Sequence, residues 1–346
     1  MPVTTDKRGY VSGKYGLELD GLASGFLESF EGGNATSDVV VEKAGADHIA
    51  HKHIAGVKYE DITVTCGTGM SQSFYERIKA TFDRNFTRQN GAIVSYDHNY
   101  KERSRLSFFN ALITEIGLPA LDASSKDTAK MTVKFTPEHT QHKKADGASS
   151  IAGKSSVQKR WLSSNFRLQI TGLDCSRVNR IEAITATQKM VENPTGELRD
   201  YQMEPAYLNV SNLVVTLPES NAKEFYDWHE SFVIKGDNGK DKEKNGTLEY
   251  LIPDLKEAFF TLDLKHLGIF RLAPEKVEAG AENIRRVRTE MYCEEITFSY
   301  GRNVRANADV TESATLGATQ ARAGQATTVA PAEQTARVLP SLRFRT

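Results

Sequence analysis

The feature that most constrains this chain is that it resembles itself. Sliding the sequence by 151 positions places Leu17, Gly21 and Leu22 on Leu168, Gly172 and Leu173, and Val64-Thr65 on Val215-Thr216. In the same register Phe74-Tyr75 falls on Phe225-Tyr226, Phe108-Phe109 on Phe259-Phe260, and Gly117 on Gly268. After Gly268 the second copy carries about twelve extra residues, because Thr132–Thr136 then resembles Glu295–Ser299. A diverged tandem duplication is expected, with one folding unit used twice.

The periodicities of the two copies agree. Tyr15, Leu17 and Leu19 alternate with polar or small residues, as do Phe166, Leu168 and Ile170. Ile62, Val64 and Cys66 alternate in the same way, and so do Leu213, Val215 and Leu217. One apolar face at period two is the pattern of a half-buried strand. Each copy then carries one helix. Ser73 and Glu76 form a capping box ahead of the stripe Phe74, Ile78, Phe82; Asn221 and Glu224 do so ahead of Phe225, Trp228 and Phe232. Hairpin turns are expected at Asn90-Gly91 and Asn245-Gly246. Each unit closes with alternating strands, Met131/Val133/Phe135 and Ile296/Phe298/Tyr300. The fold class is therefore mainly β: two tandem sandwich- or barrel-like units, each with one packing α-helix.

Composition sets the boundaries. The 346 residues are 39% hydrophobic and 26% charged, enough apolar material for a core of ordinary depth. From His139 to Ser163 the chain is rich in Gly, Ala, Ser and Lys, which reads as a flexible basic linker. From residue 302 Ala, Thr and Gln dominate and Phe344 is the sole aromatic residue, so 302–346 is expected to be a disordered tail. The expected organisation is a first domain over 1–138, a linker over 139–163, a second domain over 164–301, and the tail. A net charge of -1 removes any global argument for steering toward nucleic acid or anionic membrane. The longest uncharged stretches, Ile62–Tyr75 and Pro205–Pro218, are too short to cross a bilayer as helices, and MPVTTDKRGY lacks the apolar run of a secretory signal. Cys66, Cys175 and Cys293 are odd in number and far apart, which argues for a reducing compartment rather than a disulfide framework.

Few residues invite chemistry. His48, His51 and His53, within HIAHKH, could share a zinc or nickel ion and would be the core of a metal-dependent enzyme. Their spacing suits neither one helix face nor a zinc finger, and the second copy has Arg199, Gln202 and Glu204 there instead. A solvated loop before the strand at Lys58–Cys66 is the plainer reading. Cys66-Gly67-Thr68-Gly69 is similar to a phosphate-binding loop but lacks its Gly-Lys-Ser/Thr end, and the second copy has Leu217-Pro218-Glu219-Ser220. Arg285, Arg286 and Arg288, preceded by Glu275, Glu278 and Glu282, form either a solvated charged face or an inter-subunit ion-pair network. No catalytic, cofactor-binding or metal-binding residue is assigned; a non-enzymatic protein without cofactors is expected.

The order of several short motifs in the first copy adds a resemblance. Gly25-Phe26-Leu27-Glu28-Ser29 followed by Glu31-Gly32-Gly33, then His53–Gly56 with Lys58–Val64, Phe74-Tyr75, Phe109–Leu112, Leu118–Ala123 and the strand-ending Glu138 resemble the tail-tube proteins of contractile bacteriophages and related phage-like injection systems. The second copy lacks the Asn-Ala and Leu-Asp-Ala motifs and has Gly301 in the expected place of Glu138. The resemblance implies β-sandwich units whose strands join those of neighbours into a sixfold ring around a lumen. With two units per chain, three chains give a pseudo-hexameric ring; six chains in two layers is the competing geometry. It further implies stacked rings, sheath and baseplate proteins as partners, DNA or another cargo in the lumen without sequence-specific contacts, and a virion-tail or phage-like particle assembled in the bacterial cytoplasm. A baseplate or hub adaptor trimer joining the tube to its tip is the alternative.

Overall fold

The computed structural model of the chain describes residues 13–43, 49–145, 161–194, 201–276 and 284–301. His48 and the whole tail 302–346, for which sequence reasoning expects disorder, lie outside the described residues.

The period-two segments form strands wherever expected. In chain order the first half contains β1 (Lys14–Leu19), β2 (Leu22–Leu27), β3 (Ser29–Gly32), β4 (Ala35–Glu42), β5 (His51–Tyr59), β6 (Ile62–Cys66), helix α1 (Gln72–Phe82), β7 (Gln89–Tyr96), β8 (Glu102–Leu118), β9 (Leu121–Asp122), β10 (Met131–Thr136) and β11 (His139–Lys144). The second half contains β12 (Phe166–Ile170), β13 (Arg180–Ile181), β14 (Ile184–Asn193), β15 (Gln202–Val210), β16 (Leu213–Pro218), helix α2 (Lys223–His229), β17 (Lys244–Leu251), β18 (Ala258–Pro274) and β19 (Arg286–Tyr300). The protein is mainly β with few helices.

Strand order repeats with element order. The first half pairs as β1-β7-β8-β10-β6-β3, and the second as β12-β17-β18-β19-β16-β13. In each, a 17-residue strand runs through the middle. Such a strand has to bend, and both bend at the same place. Asn110 has φ +51° and donates its backbone N–H to the Asn90 side chain at 3.0 Å; His266 has φ +56° and donates to Asn245 at 3.1 Å. Asn and His are among the residues that tolerate the left-handed region best, and the side-chain acceptor replaces the ladder bond lost at the kink. Asn90 and Asn245 therefore sit inside β7 and β17 as acceptors, and do not form the hairpin turns expected of them.

These kinks also correct the register between copies. The offset is 151 for the β5 and β15 starts (His51, Gln202), 155 for Asn90 and Asn245, and 156 for Asn110 and His266. Met131 pairs with Cys66 while Val287 pairs with Leu217, so β10 corresponds to the first part of β19. The partner of Thr132–Thr136 is thus Arg288–Tyr292 rather than Glu295–Ser299, and Glu138 corresponds to Glu294 rather than Gly301. The matches of Phe108-Phe109 to Phe259-Phe260 and of Gly117 to Gly268 are coincidences of composition; strand pairing puts Leu264-Lys265 and Ala273 there. Net insertion is five residues, the difference between offsets 156 and 151, and most of it lies between α2 and β17.

Two boundaries also move. The segment expected to start a flexible linker forms β11, paired along β8 from His139↔Phe109 to Lys144↔Ser104. At the far end Trp161 is buried against Tyr250, Phe259 and Phe260. Helix α1 begins two residues earlier than the capping box implies, because Ser71 accepts from Phe74 N at its start; α2 starts after Ala222 with no side-chain cap and runs on into a π-helical turn, Glu230–Ile234.

Apolar faces of both halves meet in one continuous core, from Leu17, Val64 and Phe135 through Ile181 to Leu217, Phe260 and Phe298. Close packing leaves little room at the β7 entrance. A Cβ on Gly91 would lie 2.3 Å from the Phe108 ring and 2.5 Å from the Glu18 carbonyl oxygen. Gly91→Ala is expected to lower unfolding free energy by about 1–3 kcal/mol through overpacking, read by urea denaturation; an unchanged midpoint would contradict this packing.

Candidate functional site

Among the described residues, the side chains singled out in the sequence lie in separate parts of the fold. His51 and His53 lie on β5, a strand rather than the expected loop. Among the described residues the ribbon β4–β5 pairs only with itself and is largely exposed on both faces, which is why it carries no period-two apolar signal. Cys66 closes β6 and is fully buried, and desolvation pushes its thiol up to about 12. The Gly67–Gly69 loop that follows leads to Ser71 and the start of α1. Burial also raises Cys175 and Cys293 to about 11. A thiolate is the reactive form, so native Cys66 is expected to react with a thiol reagent at pH 8 only upon unfolding; prompt labelling of folded protein would contradict that burial.

The arginine cluster is paired. Arg285 contacts Glu219 at 2.9 Å, and Arg288 joins Glu182 at 3.0 Å and also Glu290. Glu278 and Glu282 lie outside the described residues. Arg286 instead lines an open cleft of about 310 Å³ with Asp122, Asn179, Arg180, Thr216 and Glu275. Hydrogen bonds from Ser124 hold the Asp122 carboxyl below the usual carboxylate range. Sequence reasoning missed one further cluster, Glu243, His266 and Glu294, whose candidate ligand atoms lie within 4.8 Å of one another. Glu243 lies just before β17, His266 on β18 and Glu294 on β19, and only the fold brings them together. Glu243 already accepts from Tyr292 Oη at 2.8 Å and pairs with His266 Nδ1 at 2.9 Å.

The most extensive constructed surface is the junction between the two halves. Strand β14 of the second half pairs with the free edge of β8, from Ile184↔Leu118 to Thr187↔Glu115. Short β9 of the first half returns the exchange by pairing with β13, Leu121↔Ile181. Edges that would template aggregation in isolation are thereby closed.

Side chains complete the joint on either side of this ladder. Glu138 receives the Met203 N–H at 3.1 Å and the Asn110 amide at 2.9 Å, while Arg88 reaches Glu204 at 3.1 Å and the Met203 carbonyl at 2.6 Å. Helix α1 lies across the second half. Tyr75 meets Phe259 edge-on at 5.7 Å, Phe82 stacks on Phe298 at 5.8 Å, and Tyr300 donates its hydroxyl to Glu76 at 3.3 Å. Tyr75 is 1% and Phe82 4% exposed, whereas their counterparts, Tyr226 on α2 and Val233 in the π-helical turn after it, are 38% and 43% exposed. The same helix face is covered in one copy and bare in the other. Tyr75→Ala is expected to cost about 3–5 kcal/mol, and Tyr226→Ala about 0.5 kcal/mol or less in the single chain, compared by urea denaturation.

With this geometry in view, comparisons with known proteins gain meaning. Residues 11–141 match the family model of the T4-like virus tail tube protein gp19, so the first half is tail-tube-like in sequence. No curated protein matches the chain. Solved structures that resemble it include the tube-terminating cap of the anti-feeding prophage, at 17% identity and TM-score 0.36, covering 42% of this chain and 100% of that one. A tube–sheath complex of an extracellular contractile injection system in the extended state is similar at 14% identity and TM-score 0.34, covering 41% and 95%. Hcp1 from Flavobacterium johnsoniae follows at 14% identity and TM-score 0.24, covering 38% and 96%.

Proposed function

We propose that this chain is a structural tube protein of a phage tail or contractile injection particle, and that it presents two tail-tube units arising by tandem duplication. The observation that carries the reading is the joint between β14 and β8, which sets the halves edge to edge. It is supported by the tail-tube match over residues 11–141, and by the shared strand order and paired kinks of the two halves. Units joined through strand edges extend a sheet sideways, which favours neighbours within one ring over units stacked in two layers. Three chains then supply six units, and a head-to-tail contact that closes makes a ring. Rings of this kind would stack into a tube carrying DNA or another cargo, with sheath and baseplate proteins outside and at its ends. The particle, assembled in the bacterial cytoplasm, is the proposed location. The role is structural: junction residues are apolar or paired, and His51–His53 lie on a solvated ribbon.

Electron microscopy of purified protein, with native mass spectrometry of the same sample, tests this. Expected are rings of about six similar lobes containing three chains. Six-chain particles with two layers would overturn the side-by-side arrangement, and single chains at every concentration would overturn the ring itself.

A further inference from the structure

Resting on that reading, the internal joint is a template for the contact between chains, and its chemistry changes when carried over. Its donor side is the β8 edge with α1; its receiving side is the ribbon β14–β15 with the start of β18 and end of β19. Shifted by one unit, the donor becomes the β18 edge with α2, and the receiver becomes ribbon β4–β5 with the start of β8 and end of β11. Both are open in the single chain. The outer edge of β18 is paired with β17 only as far as Leu267, and among described residues β4 pairs with β5 alone. The ribbon also exposes Val39, Val41 and Ile54, a surface that an isolated two-stranded ribbon does not bury by itself.

We propose that β4 of a second copy of this chain adds to the β18 edge, with Ala35 opposite Leu272 and Thr36 opposite Arg271, and that charge rather than aromatic packing holds this outer joint. Register follows from Ala186↔Ile116 and Thr187↔Glu115 inside the chain. Polar partners then change consistently. Where Arg88 meets Glu204 inside, Glu243, already held by His266 and Tyr292, is placed opposite His53 outside, so donor and acceptor change ends. Where Glu138 takes the Met203 N–H, Glu294 takes that of Lys52. The Glu243–His266–Glu294 cluster thus becomes the acidic socket for His51–His53 at the start of β5, where Lys52 carries the positive charge.

The helix shows the same exchange. Tyr75 on Phe259 becomes Tyr226 on Arg103, a cation over an aromatic ring. Phe82 on Phe298 becomes Val233 on His142, and Glu76 with Tyr300 becomes Asp227 with Lys144. All six outer residues are exposed in the single chain. The inner joint belongs to the folded core, while the outer one is built to form late, reversibly and with sensitivity to salt.

Oxidative cross-linking tests the register. The double variant Thr36→Cys, Arg271→Cys places thiols on facing residues about 4.5–5.5 Å apart at Cα, within disulfide reach. Covalent ladders ending at three chains are expected, with neither single variant cross-linking. Rings seen by microscopy without cross-links would overturn this joint and leave the ring standing, whereas an absence of rings would remove both. On the exposed ribbon, where folding is not at stake, His53→Glu is expected to raise the chain concentration needed for half assembly about tenfold, and His53→Lys to preserve assembly at low salt. Equal behaviour of these two variants, or assembly indifferent to 0.05 versus about 0.5 M salt, would overturn the electrostatic character of the joint.

Discussion

Everything in this molecule depends on satisfying strand edges. An antiparallel sheet ends in a row of unpaired N–H and C=O groups, and a buried edge without partners is costly. Here the β8 edge is closed by β14 and the β13 edge by β9, so each half completes the other. Once that exchange is made, α1 has a surface to lie on, Trp161 has aromatic neighbours, and two apolar faces fuse into one core. Among the described residues, the edges still open include that of β18 beyond Leu267, in the second half, and those of the ribbon β4–β5, in the first. A molecule with complementary unsatisfied ends is suited to head-to-tail assembly.

The kinks at Asn110 and His266 are what allow this exchange. A straight strand of seventeen residues would carry its pairing in one plane throughout. With φ turned positive in the middle, β8 pairs β7 and β11 along its first part, then β10 and β14 along its second. Asn90 and Asn245 hold the turned amides and so fix where the sheet bends. The Asn90-Gly91 dipeptide carries a strong turn signal in sequence, yet its role is to cap a neighbouring strand's kink. Local propensity misleads there because the acceptor's partner is twenty residues away.

Divergence between the copies is concentrated where they face different neighbours. Tyr75 and Phe82 are buried by the second half, and Tyr226 and Val233 face solvent in the single chain. Core positions on the same helices, Phe74 and Phe225, are fully buried in both. The two halves thus agree where their helices pack inward and differ where they pack outward, since only the outward face meets different surroundings.

Much of this was legible in the chain alone. Period-two strands, the stripe of Phe74, Ile78 and Phe82, and the repeated order of elements follow from local spacing, because side-chain periodicity is a property of the backbone itself; the first half's likeness to tail-tube proteins rests on its short motifs in order. Sequence did not reveal the register beyond the helix, where coincident aromatic pairs at constant offset concealed an insertion of five residues. Nor did it reveal that His139–Lys144 is a strand, that His51 and His53 lie on a ribbon, or that Glu243, His266 and Glu294 converge. Those depend on which edges pair across distant segments. Hydrogen-bonding groups of the backbone are the same in every residue, so the sequence determined which segments become strands, and only the tertiary structure decided whose edge each strand would close.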